Sequence, residues 1–301
     1  MSDLKLKNLI YEFNLTIPPH EPLATDLIKN VLMVSGVSTN RIVERVKDKR
    51  TIIVSAYLET KKEVKDLSRR LKAWNLKGVR VTFKRLPKKF WLERWKKDWR
   101  PFKLTRKIDV VPVWQKKKYK ISRRKFILLD TISAFGTGLH ETTKFMSQAI
   151  EDLEGKFESF FDIGTGSGIL SIVAFYSGAQ SVTAIDIGPI SVATAQENMK
   201  VNGQKFNQIK AIDFNQFKPR TKSFDLVAAN LITHDLISMR QKIVSFVNNG
   251  QWLALSGISL ENLDLLLQVY QQLPLTKIKV IKGKKWAAVV FRKAPTSLLK
   301  Q

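Results

Sequence analysis

The sequence predicts a small α+β ferredoxin-like domain, followed by an α/β domain with a doubly wound, seven-stranded, Rossmann-like sheet that contains one antiparallel strand. Three observations support this fold class. Predicted elements before residue 86 follow the order β-α-β-β-α-β, as in a ferredoxin-like domain. After about residue 106, short apolar strands alternate with helices, which is typical of a parallel sheet covered on both faces. A final hairpin around 283–285 adds the antiparallel strand.

The first predicted domain spans residues 1–85. Loosely alternating apolar residues predict its strands, and apolar residues spaced three or four apart predict its helices. In the second helix, Val64, Leu67 and Leu71 form the face that we expect to point inward. The predicted elements are a strand at 5–17, a helix at 21–35, strands at 42–46 and 51–58, a helix at 61–75 and a strand at 79–83.

Residues 86–104 are predicted to form an aromatic and basic linker helix. Trp91, Trp95 and Trp99 recur every four residues and therefore share one helix face, with lysines and arginines between them. This face either packs between two domains or stacks on nucleic-acid bases, and the sequence leaves both interpretations open.

The second predicted domain spans residues 105–301. A β-pair at 108–114 and 126–130 precedes the main sheet. Its strands are predicted at 160–163, 182–185, 209–212, 224–229, 252–256, 276–282 and 286–292. Its helices are predicted from a turn at 133–141 to 153, and at 167–177, 189–202, 234–247 and 259–272.

The composition excludes several kinds of protein. With 44% hydrophobic and 26% charged residues, the chain is typical of a folded domain. It has no cysteine and three scattered histidines, which argues against disulfides, thiolate nucleophiles and a metal centre. We find neither an apolar run long enough to span a membrane nor a secretory signal. We therefore expect a cytoplasmic protein without a membrane partner.

The charge is unusual and unevenly distributed. The formal net charge is +26, and residues 61–125 alone hold 26 basic and 5 acidic side chains. Clustered basic charge attracts polyanions such as nucleic acid. A solvated, lysine-rich surface would give the same composition, so the charge by itself does not locate a site.

A glycine-rich turn provides the strongest chemical signal. A buried strand ends at Asp162-Ile163 and leads into Gly164, Gly166 and Gly168, after which a helix begins at once. Glycines at these positions allow a tight turn, close approach of a ligand and close packing of the helix. The free N–H groups of the helix N-terminus then face the ligand.

The acidic residues near this turn indicate which ligand it binds. Asp162 precedes the first glycine, and Asp186 ends the next strand, where a carboxylate can accept both ribose hydroxyls of an adenosine. The G-x-G-x-G spacing differs from the G-x-G-x-x-G of nicotinamide cofactors. Together these features favour S-adenosylmethionine over NAD.

Two further segments belong to the predicted site. Asn230 ends the strand at 224–229 and lies near the expected change in strand order, where its side-chain carbonyl could orient an amine. It could instead cap a turn or helix. The segment 134–143 contains Phe135, Gly136 and Thr137 and ends at Thr143, so it combines flexible glycines with hydroxyl groups. Considered alone, it could be an ordinary capping turn.

Several of these motifs resemble the ribosomal protein L11 methyltransferase family. The resemblance extends over roughly 90–292 and includes a loop, Phe-Gly-Thr-Gly-x-His-x-Thr-Thr, that is specific to this family among methyltransferases. The matching segments are 134–143, 162–170, 184–187, 197–203, 229–231 and 255–258.

The resemblance implies an S-adenosylmethionine-dependent protein methyltransferase of the Rossmann-like class, which trimethylates lysine ε-amines and an N-terminal α-amine of ribosomal protein L11. Residues 1–85 would then bind the substrate. The implied cofactor contacts are Thr143, Gly164, Asp186 and Asn230. The candidates drawn from the turn and the loop are Asp162, Gly166, Gly168, Phe135, Gly136 and Thr137. As a hypothesis, Asn230 orients the amine.

Three alternatives stay open, the first of which is a methyltransferase of another protein substrate. The basic stretch 61–125 would suit an RNA methyltransferase, although a Pro-Pro-aromatic run after Asn230 and a catalytic cysteine are both missing. The same stretch would suit a nucleic-acid- or ribosome-binding protein with a degenerate methyltransferase domain, but the glycine and Asp186 pattern is intact. It could also contact ribosomal RNA beside a protein target. We expect a monomer.

Overall fold

A computed structural model of the chain describes residues 9–17, 28, 31–32, 35, 37, 42–48, 51–73, 78–87, 99–119, 124–130, 138–221 and 223–295. The chain divides into two compact units, Met1–Trp99 and Arg100–Gln301. This division falls within the segment expected to be a linker. The predicted linker helix 86–104 is wrong at both ends: residues 86–87 end a strand, 99–101 are not helical and Phe102–Lys103 form a strand, which is consistent with Pro101 disfavouring a helix before it. Residues 88–98, which carry Trp91 and Trp95, lie outside the described residues, so a helix there stays a prediction.

The first unit is built on a four-stranded antiparallel sheet in the order β2-β3-β1-β4. This order and the alternation of elements confirm the ferredoxin-like prediction. Within the predicted helix 21–35, Ile28, Val31 and Leu32 are helical and buried. The bounds are β1 Leu9–Ile17, β2 Ile42–Asp48, β3 Thr51–Leu58, α1 Lys61–Ala73 and β4 Arg80–Pro87.

The core of this unit lies between helix α1 and one face of the sheet. Val64, Leu67 and Leu71 are buried, as their spacing predicts, in a cluster with Phe13 and Leu15 of β1. Strand β4 forms one edge of the sheet, and nearly all of its residues are exposed. The uncovered edge distinguishes β4 from the buried strand β1.

The second unit contains the predicted seven-stranded sheet, in the order β10-β9-β8-β11-β12-β14-β13. The other six strands run in one direction and β14 runs antiparallel to them, which confirms the prediction of one antiparallel strand. The bounds are β8 Ser159–Ile163, β9 Ser181–Asp186, β10 Gln208–Ala211, β11 Phe224–Asn230, β12 Val247–Ser259, β13 Leu275–Lys282 and β14 Trp286–Lys293.

A three-stranded sheet precedes it and refines the predicted β-pair. Strands β6 (Ile108–Pro112) and β7 (Lys125–Leu129) pair in parallel, and β5 (Phe102–Lys103) pairs antiparallel with β6. The end of the predicted first strand is a 3₁₀ helix at Val113–Lys118 instead. Pro112 has no N–H to donate to a ladder, which is consistent with a strand end there.

The helices follow the predicted order with one difference. Residues 234–247, predicted as one helix, contain two short helices that meet at Met239, and strand β12 already begins at Val247. Among the described residues, none of the helices has the length and hydropathy needed to cross a membrane. The helix bounds are α2 Glu141–Asp152, α3 Ile169–Tyr176, α4 Pro189–Val201, α5 Thr233–Ser238, α6 Arg240–Ser245 and α7 Leu263–Gln271.

Candidate active site

The candidate site lies at the carboxyl ends of β8, β9 and β11. In the sheet register, Ile163 of β8 pairs with Ile185 of β9 on one side and with Ala229 of β11 on the other. The chain leaves β8 towards β9 and later returns on the opposite side as β11, so the strand order reverses here. Ligands of open α/β sheets bind at such a point.

The glycine-rich turn is fixed to the end of β9 by its backbone. The N–H groups of Gly164 and Thr165 both donate to the carbonyl oxygen of Ile185 at 2.9 Å. The Gly166 N–H donates to Oδ2 of Asp186 at 2.9 Å. These bonds hold the turn next to the acidic residue that the sequence paired with it.

Gly164 shows why this turn needs glycine. Its φ is +77°, and a Cβ at this position would lie 2.7 Å from Cδ2 of Leu231. A side chain would therefore be strained in the backbone and would collide with the residue after Asn230. The turn and the Asn230-Leu231 segment are thus immediate neighbours.

Asp162 is a fully buried carboxylic acid directly below the turn. Its Oδ2 accepts hydrogen bonds from Thr165 Oγ1 at 2.8 Å and from Ser171 Oγ at 2.6 Å. Burial raises its pKa to about 6, and the nearby Asp186 charge adds to that rise, whereas the two hydroxyl bonds oppose it. Its Oδ1 has no hydrogen-bond partner in the part of the chain that the structure describes.

Asp186 holds two backbone groups and is still partly exposed. Its Oδ1 accepts from the Gly188 N–H at 2.8 Å, and its Oδ2 accepts from the Gly166 N–H. An ionised carboxylate offers about four acceptor positions, so two further donors can bind. The orientation of this carboxylate is therefore fixed before any ligand arrives.

Thr143 lies in the first turn of helix α2. The side chain is almost completely buried, and Oγ1 has no hydrogen-bond partner among the described residues. Burying an unpaired hydroxyl costs about 1–3 kcal/mol in proteins. A buried hydroxyl of this kind is a candidate ligand contact.

His140 is the N-cap of α2. Its Nδ1 accepts from the Thr142 N–H and lies 2.8 Å from Thr142 Oγ1, while its ring meets Trp286 edge to face at 5.4 Å. Burial lowers the pKa of the imidazole, although Glu141 opposes this shift. These contacts favour an ordering role over that of a general base.

Asn230 is the last residue of β11 and is partly exposed. The following Leu231 N–H donates to the Ser256 carbonyl at 3.1 Å. At Gly257, with φ +84°, a Cβ would lie 2.0 Å from the Leu231 carbonyl oxygen. Strand β12 therefore supports the Asn230-Leu231 segment through a backbone approach that only glycine permits.

With this geometry established, comparison with known proteins identifies the family. The family model described as ribosomal protein L11 methyltransferase (PrmA) matches residues 26–294. The chain belongs to this family. It is therefore a protein methyltransferase, and its methyl donor is S-adenosylmethionine.

Individual members of the L11 methyltransferase family agree with this assignment. The relative from Lactococcus lactis subsp. cremoris (strain MG1363) is 32% identical over 221 residues, which cover 73% of this chain and 69% of the relative. The relative from Streptococcus pyogenes serotype M4 (strain MGAS10750) is 34% identical over 217 residues, or 71% and 67% of the two chains. The crystal structure of ribosomal protein L11 methylase from Lactobacillus delbrueckii subsp. bulgaricus matches with a TM-score of 0.60 at 28% identity, covering 65% of this chain and all of that one.

The residues at the carboxyl ends of β8, β9 and β11 have the chemistry needed to bind S-adenosylmethionine. The cofactor offers ribose hydroxyls, an ammonium and a carboxylate, so it needs acceptors, donors and a turn without bulky side chains. Asp186 and the glycine-rich turn meet there, and within the described residues the buried Asp162 Oδ1 and Thr143 Oγ1 have no hydrogen-bond partner. Phe135, Gly136 and Thr137 lie outside the described residues, so their cofactor contacts stay a prediction.

Asn198 of α4 is a supporting residue that the sequence analysis used only as part of a matching segment. It is fully buried, its Nδ2 donates to the Ser167 carbonyl at 2.8 Å, and its Oδ1 accepts from the Asp130 N–H at 2.8 Å. One turn later, Asn202 bonds both backbone groups of Leu128. Asn198 thus ties the glycine-rich turn to the end of β7. A buried asparagine pair spaced by four residues was the available signal.

Proposed function

We propose that this protein transfers methyl groups from S-adenosylmethionine to ribosomal protein L11, onto lysine ε-amines, the N-terminal α-amine or both. The observation that carries the proposal is the meeting of the glycine-rich turn, Asp186 and Asn230 at one sheet edge, in a chain that belongs to this family. The names of the relatives support L11 as the acceptor.

We assign the cofactor to this chain's own residues as follows. Asp186 would accept hydrogen bonds from the ribose hydroxyls, because its carboxylate is held in place by two backbone N–H groups. The turn would provide room for the cofactor. Asp162 and Thr143 would supply polar atoms that have no hydrogen-bond partner in the described part of the chain. The remaining proposed contacts are Gly164, Gly166, Gly168, Asn230, Phe135, Gly136 and Thr137.

When bound, S-adenosylmethionine supplies a methyl group on a positively charged sulfur, so no metal is needed to activate the transfer. Asn230 would accept a hydrogen bond from the acceptor amine and direct the nitrogen lone pair. The amine has to be unprotonated to react, and removal from water favours its neutral form. The neutral nitrogen would take the methyl group from the cofactor, which leaves as the thioether, and the ammonium formed by a first or second transfer would lose one proton to solvent. Positioning of this kind supplies much of the rate in group transfer.

We further propose that the first unit binds the protein substrate and that the basic residues of 61–125 contact ribosomal RNA when L11 is on the ribosome. Exposed lysines of α1 and of the 3₁₀ helix at Val113–Lys118 support this contact. We propose that the protein acts as a monomer in the cytoplasm. Light scattering at micromolar concentration tests the oligomeric state.

Labelled S-adenosylmethionine, purified L11 from the same organism and extracted ribosomal RNA test the proposal. We expect label in L11, on amines located by mass spectrometry, and none in RNA. Label confined to RNA would replace the proposal with an RNA methyltransferase. The absence of label in both, with the cofactor bound, would require another acceptor.

Asn230→Ala tests the orienting role. Misplacement of the amine should lower kcat by about 100-fold at saturating cofactor. Thr233→Val is a matched control three residues further along the chain, at the start of α5, because Thr233 is buried and, among the described residues, its hydroxyl makes one 3.5 Å contact, with the Gly257 carbonyl. Full turnover by Asn230→Ala would rule out the orienting role.

A further inference from the structure

The first unit has a groove between helix α1 and the edge strand β4. Its volume is about 420 Å³. Apolar side chains, Val64 from the helix and Phe83 from the strand, form part of its lining. The cations that line it all come from α1: Lys61, Lys65, Arg69 and Lys72.

The spacing of these cations forms a row along the helix. Positions 61, 65, 69 and 72 are three or four residues apart, so they share one face at intervals of about 6 Å. Within the described part of the chain, no carboxylate lies within ion-pair distance of Lys61, Lys65 or Lys72, and Arg69 has only an exposed contact with Asp66 at 3.5 Å.

Two cations of β4, Lys84 and Arg85, differ from this row. Lys84 pairs with the buried Glu12 at 3.0 Å, and Arg85 donates to Tyr11 Oη at 3.1 Å and lies over the Tyr11 ring. These two side chains therefore have partners within the unit. Among the described residues, Lys61, Lys65 and Lys72 of the α1 row have no carboxylate partner, so their charge is available to a polyanion.

Phe83 adds an aromatic surface to the groove. One face of its ring is stacked on the buried Phe13 with centroids 6.4 Å apart and planes 6° apart, yet the residue is 59% exposed. A large aromatic side chain left open beside a row of cations matches the combination used to bind single-stranded nucleic acid, in which bases stack on rings and phosphates meet lysines.

We propose that this groove binds single-stranded RNA, with the α1 row on the phosphates and Phe83 against a base. The inference deepens the proposed contact with ribosomal RNA and rests on it. An amine-bearing protein segment is the less favoured occupant, because a methyl acceptor that carries lysines is repelled by an uncompensated row of cations.

Fluorescence anisotropy of the full chain with a labelled, unstructured RNA oligonucleotide at several KCl concentrations tests the proposal. For Lys61→Gln/Lys65→Gln/Lys72→Gln we expect the slope of log K against log[salt] to fall in magnitude by about 2, since each phosphate contact on a single strand contributes about 0.7. The affinity at low salt should fall about tenfold or more.

The matched control removes the same charge elsewhere in the basic stretch. Lys116→Gln/Lys117→Gln/Lys118→Gln neutralises three exposed lysines of the 3₁₀ helix in the other unit. It should change the slope by less than about 0.5, because the short oligonucleotide is expected to bind in the groove, whereas the contact proposed for these lysines is with ribosomal RNA on the ribosome. If both triple variants lost RNA affinity and salt slope equally, RNA would be attracted diffusely to a basic surface. That result would overturn the proposed binding groove.

Phe83→Leu keeps an apolar side chain against Phe13 but removes the aromatic ring. Stacking on a base is worth about 1–3 kcal/mol, so RNA affinity should fall about 5-fold or more. Phe83→Trp should retain or increase the affinity. Equal affinities for wild type and both variants would overturn the stacking contact, as would tighter binding of an RNA duplex of the same length.

Methylation of free L11 without RNA separates this proposal from the proposed function. The proposal is supported if the lysine triple variant weakens RNA binding by a larger factor than it raises the KM for L11. A rise in KM that matches or exceeds the loss of RNA affinity would assign the groove to the protein substrate and overturn the proposal. If wild type fails to methylate L11 but RNA binding follows the expected pattern, the proposed function fails and the groove stands.

Discussion

The side chains around the glycine-rich turn and those of the α1–β4 groove differ in their burial and in their hydrogen-bond and ion-pair partners. Asp162, Thr165 and Ser171 are at most 4% exposed and form bonds of 2.6–2.8 Å. The lysines of the groove are exposed and, among the described residues, have no carboxylate within ion-pair distance. Short contacts in a buried site depend on one another, so a single change should have a large effect. Exposed charges act nearly independently and are screened by salt. The predictions below test this difference.

The largest effect is expected at Gly257. Alanine there has to adopt φ +84° and would meet the Leu231 carbonyl at 2.0 Å, so the backbone beside Asn230 must move. We expect a loss of about 4 kcal/mol in the free energy of unfolding, from left-handed strain and overpacking together. Chemical denaturation, with methyl transfer at saturating cofactor, measures both consequences.

Gly250→Ala is the control on the same strand. Its φ is +77°, but no atom lies within 4 Å of a Cβ there, so only the backbone strain of about 1–2 kcal/mol should appear. Equal losses in the two variants would show that the approach of Leu231 to Gly257 contributes nothing.

A smaller but site-directed effect is expected at Asn198. Asn198→Ala leaves the Ser167 carbonyl and the Asp130 N–H without their side-chain partner, at a cost of about 1–3 kcal/mol for each group that stays buried. Because Ser167 belongs to the glycine-rich turn, the Kd for S-adenosylmethionine should rise about tenfold.

Asn202→Ala provides the comparison for this effect. It breaks the bonds to Leu128 but none to the turn, so stability should fall by a similar amount with a much smaller change in Kd. Calorimetric titration of the cofactor separates the two. A similar Kd change in both variants would assign the effect to general loosening of α4.

The pKa of Asp162 predicts opposite pH trends for stability and cofactor binding. Burial raises this pKa from 3.8 to about 6, so ionisation opposes folding, and the free energy of unfolding should fall as the pH rises from about 4 to about 6. The same ionisation should strengthen binding of the positively charged cofactor.

Asp162→Asn should remove both trends. At pH 4–7, the stability and the Kd for the cofactor should each depend less on pH in the variant than in wild type. Above the pKa of Asp162, the variant should also bind the cofactor more weakly than wild type. Parallel denaturation and calorimetry series measure them. A cofactor affinity that is independent of pH in wild type would exclude a role for the carboxylate charge.

The fold could be predicted because its signals are local. Alternating strands and helices, a G-x-G-x-G turn after a buried strand and a closing hairpin need no knowledge of distant contacts. The predicted helix 234–247 was wrong in detail, because apolar spacing does not detect the backbone change at Met239. The third strand beside the predicted β-pair was also missed, since Phe102–Lys103 is too short to give a pattern.

Site residues that belong to a sequence motif could be predicted. Those that depend on contacts between distant positions in the sequence were missed. Asp186 meets the turn as its position after β9 suggested. Asn198 joins Ser167, 31 residues away, to Asp130, 68 residues away, and no spacing rule connects these positions. The groove was similarly hidden: the charge of 61–125 was evident, but the exposure of Phe83 follows from β4 being a sheet edge.

The smallest effect is expected in the groove, and its sign is informative. Lys65 lies four residues from both Lys61 and Arg69, and like charges at this spacing destabilise a helix by about 0.2–0.5 kcal/mol per pair. Lys65→Gln should therefore stabilise α1 by about 0.5 kcal/mol, measured as slower hydrogen exchange of its amides, and 1 M salt should remove the gain.

Lys125→Gln should have the opposite effect, because Lys125 donates to the Tyr176 carbonyl at 2.8 Å and lies 3.8 Å from Glu154. That variant should lose protection in α3. A stabilising Lys65→Gln would mean that the row of cations is maintained against the stability of its own helix, as expected of a binding surface. If Lys65→Gln destabilised α1 instead, the row of cations would contribute to the stability of the helix.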